Sequence, residues 1–353
     1  MTPQLTKLIK ELEKLRLDAL LITNEANISY LTAFDAQDSW LFVSKKRCFY
    51  ITDFRYVEEA RHHLKGIKIK KSNGSIFNLV GKLALSQNIR TLGFESRHIS
   101  HAEYKAIKKE LPRATKYVPT VNVVELLRQI KTSAELFKIK RALHVTKQSF
   151  GFLKNAIKPG IRESDLEIAL SNFIRTHGCR YAFNPIIASG INASYPHAKV
   201  TNRLIKRGEP IIIDMGVDYL GYKSDLTRVF FLGKIPSTVK HAYEIVLEAQ
   251  LRAIKKIKAG ALINEVDSVA RNYIKSKGLG KYFGHALGHG IGRETHEFPP
   301  VSSKNESEFA AGMVVTVEPA VYLSGKFGIR IEDMVLVKNN GCEILSADID
   351  KSN

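Results

Sequence analysis

The chain has 353 residues, with 54 Lys or Arg against 35 Asp or Glu, so its formal net charge at pH 7 is +19; this length predicts two domains. The excess positive charge is spread along the whole chain without a basic tail, which argues against a nucleic-acid or membrane partner. Three scattered cysteines, no signal-peptide pattern and no apolar run near the roughly 20 residues of a membrane span predict a soluble, cytoplasmic protein with free thiols.

The first third of the chain alternates helix-like and strand-like patterns. Apolar residues at helical spacing predict a helix over residues 4–17 and further helices near 54–65, 75–88 and 101–111. Short apolar runs between them predict strands over residues 18–23, 40–43, 48–52 and 91–95. This alternation predicts a small α/β domain over residues 1–122. It contains no phosphate-binding loop, and we expect no chemistry from it alone.

The sequence pattern of residues 123–353 predicts two helices followed by strands, and then the same order a second time. Thr132 and Glu135 form a capping-box pattern that opens a long helix, and Ser164 with Glu167 opens a second helix that Gly178 closes. Two later helices are predicted over residues 237–259 and 264–277. Strands are predicted over residues 183–188, 211–217, 224–232, 313–321 and 328–337. The order suggests two similar halves, although no clear sequence repeat accompanies it.

A pair of aspartates marks the first predicted hairpin. Two β-rich runs flank the turn signal Asp218-Tyr219-Leu220-Gly221, and a tight turn there places Asp214 directly opposite Asp225. Directly opposed residues share a face, with Cβ atoms about 4.5–5.5 Å apart. Like charges at that distance destabilise a sheet unless a cation lies between them, and carboxylates are hard ligands for divalent ions. The alternative is a solvated strand face with two unrelated acids.

A second predicted hairpin favours the metal hypothesis. Glu318 and Glu332 are symmetric about Gly325, so this hairpin also brings two carboxylates together. The preceding segment G-H-A-L-G-H-G-I-G is too rich in glycine for a helix and carries His289 at its centre. Four carboxylates and one imidazole form a dinuclear ligand set, because the four negative charges balance two divalent ions.

Several separated motifs carry a family resemblance. The segments D-M-G-V-D-Y-L-G-Y-K-S-D-L-T-R, G-H-A-L-G-H-G-I-G, T-V-E-P-A-V-Y and G-I-R-I-E-D-M-V-L-V resemble the pita-bread metallopeptidases, and among them the Xaa-Pro peptidases. The earlier L-D-A-L-L-I-T-N-E-A-N-I-S-Y-L-T and Y-I-T-D-F-R-Y are similar to the creatinase-type N-terminal domain. The resemblance implies an α/β N-terminal domain followed by an α+β pita-bread catalytic domain.

The resemblance also implies metal ligands. Asp214 would bind one ion, Asp225 and Glu332 would bridge two ions, and His289 and Glu318 would complete the second site. Two ions of this kind activate a water and polarise the scissile carbonyl, with Glu318 as proton shuttle. An oxygen-rich set with one imidazole suits Mn²⁺, Co²⁺, Fe²⁺ or Zn²⁺; the resemblance favours Mn²⁺.

Five further residues are assigned to the site, two by the same resemblance and three because they lie near candidate ligands in the sequence. His197 and His296 match the two catalytic imidazoles that are not ligands. His285, Tyr322 and Arg330 are assigned to substrate binding, with a packing role open for His285. Arg330 shares a strand face with a glutamate ligand and would orient a ligand carboxylate, and the alternative is a weak surface ion pair.

The resulting functional prediction is a dinuclear metal exopeptidase that cleaves Xaa-Pro bonds at peptide N-termini, an Xaa-Pro aminopeptidase. The alternative is an Xaa-Pro dipeptidase (prolidase). Two hypotheses from different classes are a metal-free creatinase-like hydrolase and a non-enzymatic pita-bread binding protein. The expected partners are a proline-containing peptide and a second copy of the chain in a homodimer. Arg293, Glu294 and Ala320 depart from the family pattern and put the residue preference in question.

Overall fold

A computed structural model describes residues 2–351. The chain divides into two compact units, Met1–Arg128 and Gln129–Asn353. The domain boundary between residues 122 and 123 stays a prediction. Among the described residues, no helix is long and apolar enough to cross a membrane.

The first unit is built on one mixed sheet of six strands in the order β4-β3-β2-β1-β5-β6. β5 runs parallel to β1 and β6, whereas β2 runs antiparallel to β1 and β3. The elements are α1 (Pro3–Lys14), β1 (Ala19–Ile22), α2 (Glu25–Thr32), β2 (Trp40–Ser44), β3 (Cys48–Thr52), α3 (Val57–His63), β4 (Lys68–Lys71), α4 (Ile76–Ser86), β5 (Thr91–Glu95), α5 (His101–Glu110), β6 (Lys116–Thr120) and α6 (Val123–Arg128).

The predicted helices and strands of this unit are confirmed, and α2 is one of the elements that the sequence pattern missed. Asn24 caps it by accepting hydrogen bonds from the amides of Ala26 and Asn27. Most of α2 is buried, from Asn27 to Thr32. A helix without a polar face lacks the amphipathic period by which helices are found in a sequence.

The described part of the second unit contains four helices longer than two turns and thirteen short strands. The elements are α7 (Ser133–Ala156), α8 (Glu163–Thr176), β7 (Arg180–Tyr181), β8 (Ile186–Ser189), β9 (Pro210–Met215), β10 (Val217–Tyr219), β11 (Tyr222–Lys223), β12 (Leu226–Phe231), α9 (Ser237–Ile254), α10 (Ile263–Ser276), β13 (Gly288–Gly290), β14 (Glu297–Val301), β15 (Val314–Val317), β16 (Ala320–Leu323), β17 (Phe327–Arg330), β18 (Asp333–Lys338) and β19 (Gly341–Ile344). Their main sheets have the orders β12-β9-β8 and β14-β13-β15-β18-β19, with β16 and β17 as a separate pair.

One predicted helix start is confirmed and one is wrong. Thr132 and Glu135 form the reciprocal capping box at the start of α7. α8 begins one residue earlier than predicted, so the residue that precedes it is Arg162, whose backbone N–H donates to Asp165 at 3.3 Å. Ser164 therefore lies inside the first turn, and its hydroxyl donates to Asn202.

The two halves of this unit repeat with an offset of 100 residues around α8 and α10. Both helices have 14 residues, each follows an isolated β-bridge, and each ends before a glycine with positive φ. The sequences match accordingly: I-K-P-G at 157–160 repeats as I-K-A-G at 257–260, and N-F-I-R-T-H-G at 172–178 as N-Y-I-K-S-K-G at 272–278. The two similar halves suggested by the order of elements therefore do carry a short sequence repeat, and the expectation that no clear repeat is present is wrong.

The register of the first hairpin differs from the prediction by two residues. The structure pairs Asp214 with Thr227, not with Asp225. The turn is the two-residue loop Leu220-Gly221, with φ values of 51° and 76°, and this pair of left-handed residues is typical of a tight hairpin. Asp218 lies in β10 opposite Lys223 instead of opening the turn. A shift of two keeps both aspartates on one face, which a shift of one would not.

The second hairpin has the predicted register. β16 pairs with β17, and β15 with β18, with residues symmetric about Gly325 in both pairs. The predicted strands are each divided in two, and Glu318 and Glu332 occupy the breaks between the paired segments. Glu318 and Glu332 therefore lie at matching positions on the two arms of the hairpin.

Candidate metal centre

All ten residues that the sequence assigned to the site line one cavity of about 1180 Å³ in the second unit. They come from both hairpins, from β13 and from three loops. The ten are His197, Asp214, Asp225, His285, His289, His296, Glu318, Tyr322, Arg330 and Glu332. The structure thus brings together every residue of the predicted set.

The centre of this cavity is a compact group of acids around His289. Donor atoms of Asp225, His289 and Glu332 all lie within 4.8 Å of one another. The Nε2 atom of His289 is 3.2 Å from Glu318 Oε1 and 3.6 Å from Asp225 Oδ2. Oxygen and imidazole donors at this spacing are the ligands that first-row divalent ions take.

Arg330 anchors the remaining carboxylate, Asp214. Its guanidinium donates to Asp214 Oδ2 at 2.6 Å, to the hydroxyl of Tyr322 at 2.5 Å, to Thr227 Oγ1 at 3.2 Å and to the carbonyl of Pro196 at 3.1 Å. Arg330 is buried, so the alternative of a surface ion pair is wrong. The Arg330 side chain therefore holds three parts of the site in position: the candidate ligand Asp214, the cavity-lining Tyr322 and the backbone just before His197.

Two buried carboxylate oxygens in this group have no hydrogen-bond partner among the described residues. They are Oδ1 of Asp214 and Oε1 of Glu332, whose other oxygen accepts from Thr227 at 2.8 Å. Buried acceptors without a partner cost free energy, and proteins rarely leave them so. The donor set therefore fits divalent cations, which would satisfy both oxygens.

The carboxylates of this group also repel one another, and burial and this repulsion raise the pKa of two of them. Burial, and then the neighbouring carboxylates, raise the pKa of Asp225 and of Glu332 well above the usual range. Burial opposes ionisation of Glu318, but the hydrogen bond from His289 outweighs it and lowers the pKa of Glu318. Bound cations would remove this repulsion, because they favour the charged form of each acid.

Backbone and hydroxyl contacts hold His289 in place. Its Nδ1 lies 3.0 Å from the carbonyl of Gly290, and its amide donates to Thr316 Oγ1 at 3.0 Å. The hydroxyl of Thr316 donates to Glu318 Oε1 at 3.3 Å. With Nδ1–H donating to the carbonyl, Nε2 is the ring atom that faces the acids. It donates to Glu318 in the metal-free protein and would bind a metal ion after losing its proton.

The other histidines lie around this group. The ring of His296 packs edge-on against that of His289 with centroids 4.3 Å apart, and burial lowers the pKa of His296. His285 places Nδ1 2.7 Å from the carbonyl of Ala286 and its ring 5.8 Å from Tyr322. Burial also lowers the pKa of His285, whose Nε2 has no partner among the described residues. His197 is exposed at the cavity wall.

Gln250, a fully buried residue of α9, supports the site although no sequence pattern pointed to it. Its side-chain amide donates to the carbonyls of Val317 at 2.9 Å and Ile331 at 3.1 Å. These carbonyls belong to the residues immediately before Glu318 and Glu332. Gln250 therefore links the two chain segments at the position where the strand pairing is interrupted. A lone glutamine in an amphipathic helix is ordinarily a surface residue, which is why its role appears only in the structure.

We expect Gln250→Leu to loosen the glutamate pair. Two buried carbonyls would lose their donor, at a cost of about 1–3 kcal/mol for each unsatisfied group. Urea unfolding should show lower stability, and calorimetry should show weaker binding of Mn²⁺. Gln148→Leu, at an exposed position of α7, is the control and should change neither. Wild-type stability and Mn²⁺ affinity in Gln250→Leu would contradict this role.

All three departures from the family pattern lie outside the cavity lining. Arg293 packs over the ring of Tyr222 with its guanidinium carbon 4.8 Å from the centroid, and neither Arg293 nor Glu294 lines the cavity. Ala320 is fully buried in β16 opposite Arg330, with no positive φ that would require glycine. These departures therefore leave the cavity lining intact.

Comparisons with known proteins show the family of the chain. Residues 138–339 match the model of metallopeptidase family M24, and residues 4–130 match that of the creatinase/prolidase N-terminal domain. These matches make the chain a metallopeptidase and confirm the predicted fold of an α/β domain followed by an α+β pita-bread domain. The chain belongs to metallopeptidase family M24.

Three relatives extend over almost the whole chain. The Xaa-Pro dipeptidase of Pyrococcus horikoshii is 32% identical and covers 98% of this chain and 97% of its own. The structure of an Xaa-Pro dipeptidase from Bacillus anthracis is 37% identical, with a TM-score of 0.93 over 98% of this chain and 97% of that one. An X-Pro aminopeptidase from Thermotoga maritima is 35% identical, with a TM-score of 0.91 over 99% and 98%.

Proposed function

We propose that this chain is an Xaa-Pro dipeptidase, the alternative that the sequence left open, instead of the predicted Xaa-Pro aminopeptidase. The relatives support the dipeptidase more strongly, since proteins named so are similar in sequence and in structure over nearly the full length. The observation that carries a hydrolytic function is the group of four acids and His289 in one cavity, with two buried oxygens left without partners among the described residues.

We propose that Asp214, Asp225, His289, Glu318 and Glu332 hold two divalent ions, with Mn²⁺ as the native metal. Such ions supply Lewis-acid polarisation of the scissile carbonyl and lower the pKa of the attacking water. Thr227 and Thr316 orient Glu332 and Glu318 by hydrogen bonds. The threonine hydroxyls thus direct the free oxygens of the two glutamates into the cavity.

Glu318 is the proton shuttle in this proposal. Its carboxylate takes a proton from the attacking water as the carbonyl carbon is attacked, and gives it to the proline nitrogen as the C–N bond breaks. His289 at 3.2 Å lowers the pKa of Glu318 in the metal-free protein, and bound cations would keep Glu318 ionised and able to accept that proton. A proton must be delivered to this nitrogen because it leaves as a neutral amine and not as an amide anion.

His197 and His296 are proposed to hold the substrate as charge develops on its carbonyl oxygen. Both line the cavity, and the edge of His296 faces the ring of His289. An uncharged imidazole can donate one hydrogen bond to an oxyanion at little reorganisation cost. His285, Tyr322 and Arg330 form the adjoining wall, where Tyr322 is itself fixed by Arg330.

A substrate panel tests the function. Purified protein with Mn²⁺ should hydrolyse Xaa-Pro dipeptides with a higher kcat/KM than Xaa-Pro-Yaa tripeptides, and should leave Met-Yaa peptides intact. Elemental analysis should find two divalent ions per chain, and chelation should abolish activity. Preference for tripeptides would restore the aminopeptidase hypothesis. Full activity without metal would support the creatinase-like hydrolase, and metal binding without any hydrolysis the non-enzymatic binding protein.

We also propose that the protein is cytoplasmic, forms a homodimer and acts on proline-containing peptides. The homodimer and the substrate class are proposed from the family resemblance. Light scattering at working concentration measures the mass in solution. A fully active monomer would remove the dimer from this proposal.

A further inference from the structure

We propose that Lys199 binds the terminal carboxylate of the dipeptide substrate and so determines the preference for dipeptides. The inference rests on the proposed dipeptidase function. A dipeptidase must recognise a free carboxylate one residue beyond the scissile bond, and a cation in the cavity wall is the simplest group that does so.

The other basic groups of the cavity have a partner or a proposed role, and His197 is already proposed to hold the carbonyl oxygen of the substrate. Arg330 already donates to Asp214, Tyr322, a threonine hydroxyl and a backbone carbonyl. His289 faces the acids. Nδ1 of His285 lies 2.7 Å from the carbonyl of Ala286, and the ring of His296 packs against that of His289 with centroids 4.3 Å apart.

Lys199 differs from all of these groups. Lys199 is exposed and is one of the residues that line the cavity, and within the described part of the chain its ammonium group has no hydrogen-bond or ion-pair partner. Glu167 lines the same cavity, yet the two do not form an ion pair. Lys199 is therefore the cationic donor of the described cavity wall that remains free for a ligand.

A buried glutamate fixes the loop that presents Lys199. Glu163 is fully buried, and its Oε1 accepts from the amide and hydroxyl of Ser189 at 2.7 and 2.8 Å. Its Oε2 accepts from Asn192 at 2.8 Å and from the hydroxyl of Thr201 at 2.6 Å. One carboxylate thus ties together both ends of the segment that carries His197 and Lys199.

The backbone at Lys199 is held by the same contacts. The side-chain amide of Asn192 that donates to Glu163 also donates to the carbonyl of Lys199 at 3.2 Å. Two residues further on, the amide and the hydroxyl of Thr201 both donate to Glu163 Oε2. The main chain is therefore preorganised on both sides of the lysine, so ligand binding needs to order only its side chain, which lowers the entropic cost.

Charge balance favours an anion at this position. Two divalent ions, Arg330 and Lys199 would carry six positive charges against five negative charges from the four ligand acids and Glu167, so the cavity would keep a net positive charge. A peptide that continues beyond proline offers a neutral amide there instead of a carboxylate. Lys199 would then lose its charge-assisted bond, and such bonds are about twice as strong as neutral ones.

The experiment compares Ala-Pro with Ala-Pro amide, which lacks only the negative charge. Lys199→Met should raise KM for Ala-Pro about five-fold, the upper range for a partly exposed ion pair. Its KM for the amide and kcat for both substrates should stay at the wild-type values. Lys199→Glu should raise KM for Ala-Pro further, and Lys199→Arg should restore it. Salt should narrow the difference between acid and amide in the wild type.

Lys206→Met is the matched control, because Lys206 is exposed in the following segment and does not line the cavity. It should leave all constants unchanged. If Lys199→Met changes neither KM, or raises the KM for acid and amide equally, the carboxylate role is wrong while the dipeptidase function stands. If the wild-type protein fails to cleave Ala-Pro, the dipeptidase proposal falls and this inference falls with it.

Discussion

Asp225→Asn is expected to lower kcat about 1,000-fold, which corresponds to about 4 kcal/mol of transition-state stabilisation. An amide supplies one neutral oxygen where a bridging ligand needs two charged ones. The remaining acids would carry three negative charges against two divalent ions, so at least one ion should bind much more weakly. Metal content after dialysis and the rate of Ala-Pro hydrolysis measure both effects.

The same variant should have the opposite effect on the metal-free protein. Burial and the carboxylates of Glu332 and Asp214 already disfavour the charged form of Asp225. Removing that charge should leave the apo protein equally stable or stabilise it. The rise in Tm on adding Mn²⁺ should shrink, because binding to the native state contributes RT ln(1 + [L]/Kd).

Asp348→Asn is the control for this experiment, since Asp348 is exposed and does not line the cavity. It should show the wild-type Tm shift and turnover. A wild-type Mn²⁺-dependent shift together with near wild-type turnover in Asp225→Asn would exclude the bridging role.

Much of the candidate site could be predicted because its residues follow simple strand rules. The first hairpin shows that these rules tolerate an error in the turn. The sequence predicts a turn centred on Tyr219-Leu220, but the turn lies one residue later, at Leu220-Gly221. The pairing of residues across the hairpin therefore shifts by two positions. Because side chains alternate with a period of two, Asp214 and Asp225 keep the same face. An error of a single residue in the register would have separated them.

The error itself has a physical cause. Aspartate is a common first residue of turns, and Asp218 does accept a hydrogen bond from the amide of Gly221 at 2.9 Å. It nevertheless lies in a strand, where Lys223 and Arg180 pair with its carboxylate. The left-handed conformation of Leu220 is uncommon for such a residue, so no local pattern predicts it.

Residues that support the site from other elements were beyond prediction. Gln250 reaches the glutamate strands from α9, and Glu163 reaches the His197 loop from α8. Each contact joins residues far apart in the chain, and neither side chain differs in sequence from an ordinary helical surface residue. The repeat of α8 and α10 was readable in the sequence, but it predicts related helices and not the contacts that each makes.

Arg330→Met is expected to destabilise the metal-free second unit by about 3–5 kcal/mol, because it leaves the buried carboxylate of Asp214 without its counter-ion. Four hydrogen bonds end on this guanidinium, and an ammonium cannot reproduce its planar geometry. Arg330→Lys should therefore keep part of the stability and little of the activity. Urea unfolding in the presence of a chelator measures the loss without a contribution from metal.

The double variant Arg330→Met with Asp214→Asn separates the ion pair from general packing. It removes both charges of the pair that lie 2.6 Å apart, so the unpaired charge disappears. We expect the double variant to be more stable than Arg330→Met alone, with a coupling energy of about 1–3 kcal/mol in the double-mutant cycle. If the two free-energy changes simply add, Arg330 stabilises the unit by packing and does not neutralise Asp214. Activity should be lost in every variant of the cycle, since Asp214 is a proposed ligand and Arg330 orients it.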